Sequence, residues 1–213
     1  MRRFLTIFLL LNSVLLTTSC SHKNTAILDK TIVHKEINAP LSSGYNTLLY
    51  KAKVKLYSKV YSGLFLFKHS PKTKVHNIVF LSEIGLTLFE LKYENNSFEI
   101  VKMSAIFKND KAVKALMNDL ELVICDIRNK QNLKLIDSAD SKSLKKTRKR
   151  SIIYYIYNSN NEVYKIKKNG LLKGLVVDLQ QFESKIPKVI IFNHKYIKLN
   201  VELSLLKRDN NVK

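Results

Sequence analysis

Apolar and polar residues alternate through most of the chain from residue 46 onward. In 48–57, Tyr50, Ala52, Val54 and Leu56 share one parity, and Lys51, Lys53 and Lys55 the other. Period two with a polar outer side predicts an antiparallel strand solvated on one face. The same pattern predicts strands over 59–68, 75–81, 86–93 and 97–104, with turns at Ser58 and at Asn95-Asn96. It returns over 151–157, 162–168, 171–179, 186–193 and 195–206. A turn is predicted from Asn158 to Asn161, and Asn169-Gly170 is a two-residue hairpin signal. The last strand is the cleanest, with Ile197, Leu199, Val201, Leu203 and Leu205 set against Lys198, Asn200, Glu202 and Ser204.

The period changes once. Val113, Leu116, Met117 and Leu120 recur at three and four residues, with Lys111, Lys114, Asn118 and Asp119 between them. This predicts an amphipathic helix of about 13 residues, over 110–122, capped by Asn109 or Asp110. Ordinary core packing is part of its role. Residues 126–150 carry no usable period and end in Lys142, Lys145, Lys146, Arg148, Lys149 and Arg150. The expected domain, 46–208, is therefore mainly β with α: about ten antiparallel strands, one clear helix, and an open or closed barrel to wrap them.

The first residues have a different logic. Arg2 and Arg3 precede an apolar run from Phe4 to Leu16, and small polar residues follow. This layout is a secretory signal peptide, 1–19. The run of about 13 residues is short of the roughly 20 that span a bilayer as a helix. Leu15-Leu16-Thr17-Thr18-Ser19-Cys20 resembles a relaxed bacterial lipobox of the Bacteroidota type, which implies that Cys20 is lipidated and becomes the mature first residue. Two or three acyl chains anchor a protein durably where one does not. Residues 20–45 then read as a lipidated tether. Cys125, within Leu122-Val123-Ile124-Cys125, reads as a small buried hydrophobe.

The charge changes meaning against this background. With 37 basic and 17 acidic residues the formal net charge is +20, which invites a nucleic-acid reading. Removing Arg2 and Arg3 leaves 20 − 2 = +18. The remaining lysines mostly alternate with apolar neighbours on strands, and an exported chain meets no nucleic acid. No phosphate loop, paired carboxylates or nucleophile elbow is present. The five histidines are scattered, without ligand spacing, and read as solvated. No metal, cofactor or enzymatic activity is expected, and a hydrolase would need a polar cleft with perturbed carboxylates.

Phe80-Leu81-Ser82-Glu83-Ile84-Gly85-Leu86-Thr87-Leu88-Phe89-Glu90-Leu91 resembles the stretch of LolB-type lipoproteins in which Asn-Pro-Leu-Gly precedes an alternating strand. Lys185-Ile186-Pro187-Lys188-Val189-Ile190 and Ile197-Lys198-Leu199-Asn200-Val201 are similar to the closing strand pair of that family. Ser82-Glu83 stands in place of Asn-Pro, and Ile84 in place of Leu. The resemblance implies a half-open β-barrel of LolA/LolB type with a helix over its concave apolar face. It implies a monomeric outer-membrane lipoprotein, facing the periplasm, that receives lipidated proteins from a LolA-like carrier and helps insert them. Val113, Leu116, Met117 and Leu120 would then line an acyl cavity or its lid. Ile84 and Gly85 would form a membrane-inserting loop, the alternative being a buried loop residue at 84. The basic segment is a solvated loop, a contact for an anionic lipid surface through Lys145, Lys146, Arg148, Lys149 and Arg150, or a site for an acidic protein. Two rival functions remain: a carrier of another hydrophobic cargo, and a structural or interaction lipoprotein whose barrel is filled with side chains.

Overall fold

The computed structural model describes residues 39–105, 110–125, 133–138, 141–148, 151–170 and 174–209. The signal segment 1–19, Cys20, most of the tether, Asn109, Lys149 and Arg150 lie outside them.

Five strands come first: β1 (Thr47–Leu56), β2 (Lys59–Ser70), β3 (Val75–Ser82), β4 (Thr87–Glu94) and β5 (Ser97–Met103). Helix α1 (Asp110–Ile124) follows. Then come β6 (Leu133–Ser138), β7 (Ser141–Arg148), β8 (Ser151–Tyr157), β9 (Val163–Gly170), β10 (Leu175–Glu183), β11 (Ile186–His194) and β12 (Leu199–Asp209). All twelve strands form one antiparallel sheet in the order β5-β4-β3-β2-β1-β12-β11-β10-β9-β8-β7-β6. The first and last strands meet in its middle. The sheet does not close: β5 and β6 are its edges, and α1 is the chain that joins them. The architecture is a half-open β-barrel with a helix.

Alternation builds the core. Residues of one parity point to the concave side, and directly opposed residues stack in rows across the strands. Tyr50, Phe65, Phe80 and Phe89 form such a row over β1 to β4. The Phe65 and Phe80 rings lie 4.7 Å apart, near parallel. Aromatic pairs of this kind add about 0.5–1.5 kcal/mol beyond the area they bury. The Tyr50 hydroxyl donates to the Pro187 carbonyl, which satisfies the one polar atom in the row. Val113, Leu116 and Leu120 of α1 are buried in the same core. Lys51, Lys53 and Lys55 are exposed on the other face of β1.

Gly63 marks a close approach. It stands opposite Ser82 in β2–β3, and a Cβ there would run into the Leu81 backbone carbonyl oxygen. Gly63→Ala is therefore expected to lower stability by about 1–3 kcal/mol. The check is the urea midpoint at unchanged slope; a variant as stable as the wild type would show that the two strands separate freely.

Four expectations need correction. The chain forms twelve strands rather than about ten, because β6 and β7 occupy part of 126–150. Asn169-Gly170 is not a hairpin turn: both residues continue β9, paired with Ile152 and Ser151. The strands expected over 171–179 and 195–206 lie three to four residues later, as β10 (Leu175–Glu183) and β12 (Leu199–Asp209), whereas the one expected over 186–193 is β11. Part of 39–45, expected within the tether, is packed on the sheet and helix. Ala39, Leu41 and Tyr45 are buried, and the Leu41 amide donates to the Val123 carbonyl at the end of α1. Cys125 is buried as a thiol.

Candidate functional site

An antiparallel meander sends its turns to two opposite rims. One rim collects the β1–β2, β3–β4, β7–β8, β9–β10 and β11–β12 connections, and β5 ends and β6 begins there. The other holds the start of β1 and the end of β12.

The first rim carries the three most exposed large apolar side chains among the described residues, Ile84, Leu86 and Tyr196. Ile84 is 82% exposed and Leu86 61%, both in the β3–β4 turn. Tyr57 and Tyr196, in the β1–β2 and β11–β12 turns, are 54% and 60% exposed. The β3–β4 turn is tightly tied. The Ser82 amide donates to the Leu86 carbonyl, the Gly85 amide to the Ser82 carbonyl, and the Leu86 amide to the Ser82 hydroxyl at 3.0 Å. Gly85 takes φ +81°, which residues with a Cβ rarely adopt. Such a turn projects Ile84 and Leu86 without relying on their packing.

Beside these turns lies a cleft of about 660 Å³. Its apolar surface comes from Tyr57, Ala115, Leu175 and Ile197, its charge from Lys111, Lys114, Lys168 and Lys198. At its floor the Asp119 carboxylate lies 2.7 Å from His194 Nε2, with both side chains almost fully buried. Burial pushes the Asp119 carboxyl up from its ordinary value, against the His194 hydrogen bond and the Lys168 charge. The pair fastens the middle of α1 to the end of β11.

A second polar cluster sits away from the cleft. His69 and His76 face each other across β2–β3, with ring centroids 4.4 Å apart. The Tyr45 hydroxyl lies 3.3 Å from His76 Nδ1 and also bonds the Leu41 carbonyl. Burial lowers the His76 pKa to about 3, and the facing His69 contributes in the same direction. Three of the histidines read as solvated are thus packed.

Neither cluster was singled out from sequence, although parity held a signal. His194 continues the inward parity of Ile190 and Phe192, His76 that of Ile78 and Phe80, and His69 that of Phe65 and Phe67. Asp119 lies three residues after Leu116, on the edge of the helix's apolar side.

Of the expected site residues, Ile84 and Gly85 stand at the tip of an exposed turn, and Ile84 is not a buried loop residue. Val113, Leu116 and Leu120 are buried against the sheet and Met117 is half-buried beside them; none lines the cleft. The basic segment is not a free loop up to Arg148 but strand β7. Lys146 takes an inward place between Leu133 and Ile153 and is 5% exposed. Lys145 lies on the other side of the strand, half-buried. Arg148 ends β7 opposite Ser151. Among the described residues no three His, Cys, Asp or Glu side chains gather as metal ligands.

No family model matches the chain, and no curated protein matches it. Among solved structures it is similar to a DUF1329 family protein from Desulfovibrio piger ATCC 29098. The identity is 10%, the TM-score 0.45, and the match covers 80% of this chain and 88% of that one.

Proposed function

We propose that the chain is a LolB-like lipoprotein of the bacterial outer membrane, anchored through Cys20, that takes up acyl chains of lipidated proteins and helps insert them. The observation that carries this reading is the rim. Ile84 and Leu86 project from a turn that its own backbone holds in shape. Tyr57 and Tyr196 project beside them, and amphipathic aromatic rings favour the membrane interface. Lysines surround the adjoining cleft, and each adds about 1 kcal/mol near an anionic surface.

The anchor is compatible with this orientation. The folded domain begins on the opposite rim, and the 19 steps from Cys20 to Ala39 span at most about 65 Å when extended. A strand of ten residues spans about 33 Å. The apolar turn could therefore reach the membrane that holds the acyl chains of Cys20. Cargo would enter between α1 and the sheet. The apolar side of α1 fills that space now, so uptake requires α1 to lift from the Phe-lined core.

That filled space also favours a second reading, an envelope protein that acts only through its surface. Depleting the protein and fractionating the cells separates the two. Loss of lipoproteins from the outer membrane, restored by the wild type but not by Ile84→Glu at equal abundance, is the result expected. Normal lipoprotein localisation after depletion would reject the first reading and leave the second.

A further inference from the structure

We infer that the cleft between α1, the facing ends of β9 and β10 at Lys168 and Leu175, and the β11–β12 turn binds a single-chain amphiphile with an anionic head group. The site shares Tyr57, Tyr196 and its lysines with the rim but not Ile84, Leu86 or the buried Val113, Leu116 and Leu120 of α1, and ligand binding in solution tests it apart from the membrane and cargo reading. Its volume, about 660 Å³, falls within the range of small-molecule sites. Its chemistry is divided in the way an amphiphile is divided. Tyr57, Ala115, Leu175 and Ile197 offer a surface for an alkyl chain. Lys114 and Lys198 are exposed and offer ammonium donors for the head group, while the one lining carboxylate, Asp119, is already bonded to His194.

The lysine-rich lining favours an anionic head group. A cationic head would meet Lys111, Lys114, Lys168 and Lys198 with Asp119 buried and engaged. A neutral head would gain no charge-assisted bond from Lys114 and Lys198. A carboxylate or a phosphate accepts from ammonium donors as a charge-assisted hydrogen bond. The buried Asp119–His194 pair makes the wall on which α1 sits rigid, so the cleft need not be ordered by its ligand.

The test uses the mature chain, residues 20–213, and calorimetric titration below the micelle concentration of each probe. The probes are dodecanoate, dodecyl phosphate, dodecyltrimethylammonium, dodecyl maltoside and inorganic phosphate. At least one anionic chain should bind about tenfold or more tightly than the cationic and the neutral chain; the tighter of the two anionic chains identifies the head group. Lys114 and Lys198 are exposed, so K114E/K198E should fold normally and lose about tenfold or more in affinity for that probe. Ala115→Trp, which fills the floor, should weaken the chain probes while leaving Tm within a few degrees. Equal binding of all four chains, or unchanged affinity in K114E/K198E, would overturn the assignment. So would inorganic phosphate binding as tightly as dodecyl phosphate, which would mean an ion site with no place for a chain.

Discussion

Replacing Ile84 and Leu86 together with glutamate should abolish binding of the unlipidated chain to phospholipid vesicles and leave its Tm unchanged. Cys20→Ser in both proteins keeps an acyl anchor from masking the effect. The two side chains are 82% and 61% exposed, so their replacement removes almost no packing from the folded state. The turn itself is held by Ser82, Gly85 and Leu86 backbone groups and the Ser82 hydroxyl, all retained in the variant. On a bilayer the balance differs. Burying an Ile or Leu side chain contributes roughly 1.5–3 kcal/mol, so two contribute roughly 3–6 kcal/mol. That corresponds to about two to four orders of magnitude in partition. Ile84→Glu alone should lose about half of this free energy. Flotation with vesicles of neutral and of anionic lipid reads the effect directly. If the double variant floats with the vesicles as the wild type does, the rim does not insert and the membrane reading fails with it. If salt alone releases the wild type, the lysines and not the apolar tip carry the attraction.

Most of the fold was visible as alternation, and its failures have a common cause. Strands β1 and β12 lie in the middle of the sheet, covered on one side and wet on the other, so their parity is clean. Strand β7 breaks the rule because Lys146 takes an inward position between Leu133 and Ile153. A lysine on the buried parity, next to Lys145 on the outer one, erases the period that identifies a strand. Asn169-Gly170 misled for a different reason. Turn chemistry is a local preference, whereas the pairing with Ile152 and Ser151 is a tertiary one, and the longer ladder prevails. The candidate sites were less legible than the fold. Asp119 and His194 are 75 residues apart, and only the crossing of α1 over the end of β11 makes them a pair. His69 and His76 are close in sequence, but their stacking depends on the β2–β3 register.

Acid should destabilise the domain well before its carboxylates are exhausted, and His76 should account for much of that loss. An unfolded histidine titrates near pH 6.5. In the folded protein burial, with His69 facing it, holds the His76 pKa down at about 3. Burial moves His69 the same way, partly offset by its hydrogen bond to the Tyr45 backbone. Between these pH values the unfolded chain binds protons that the folded chain refuses. Stability from this group is therefore complete above pH 6.5 and falls as pH falls toward 3, by about 1.4 kcal/mol for each pH unit. At pH 4.5 the loss is about 3 kcal/mol, a large share of the 5–15 kcal/mol typical of a domain. Asp119 acts with the opposite sign: its raised pKa lets the folded state take up a proton before the unfolded one does. A difference between two proteins that share Asp119 removes its contribution. His76→Phe keeps a ring against His69 and Tyr45, and the Tyr45 hydroxyl keeps the Leu41 carbonyl as acceptor. Urea midpoints for the wild type and His76→Phe from pH 7 to 4 test the assignment. The wild-type curve should fall steadily below pH 6.5, and the variant's should fall less steeply. Parallel curves would mean that the acid-sensitive group lies elsewhere. The position of the cluster gives the slope a structural meaning. Tyr45 is buried just before β1 and bonded to the Leu41 carbonyl, so charging His76 loosens the chain at 41–45 where it packs against β2 and β3.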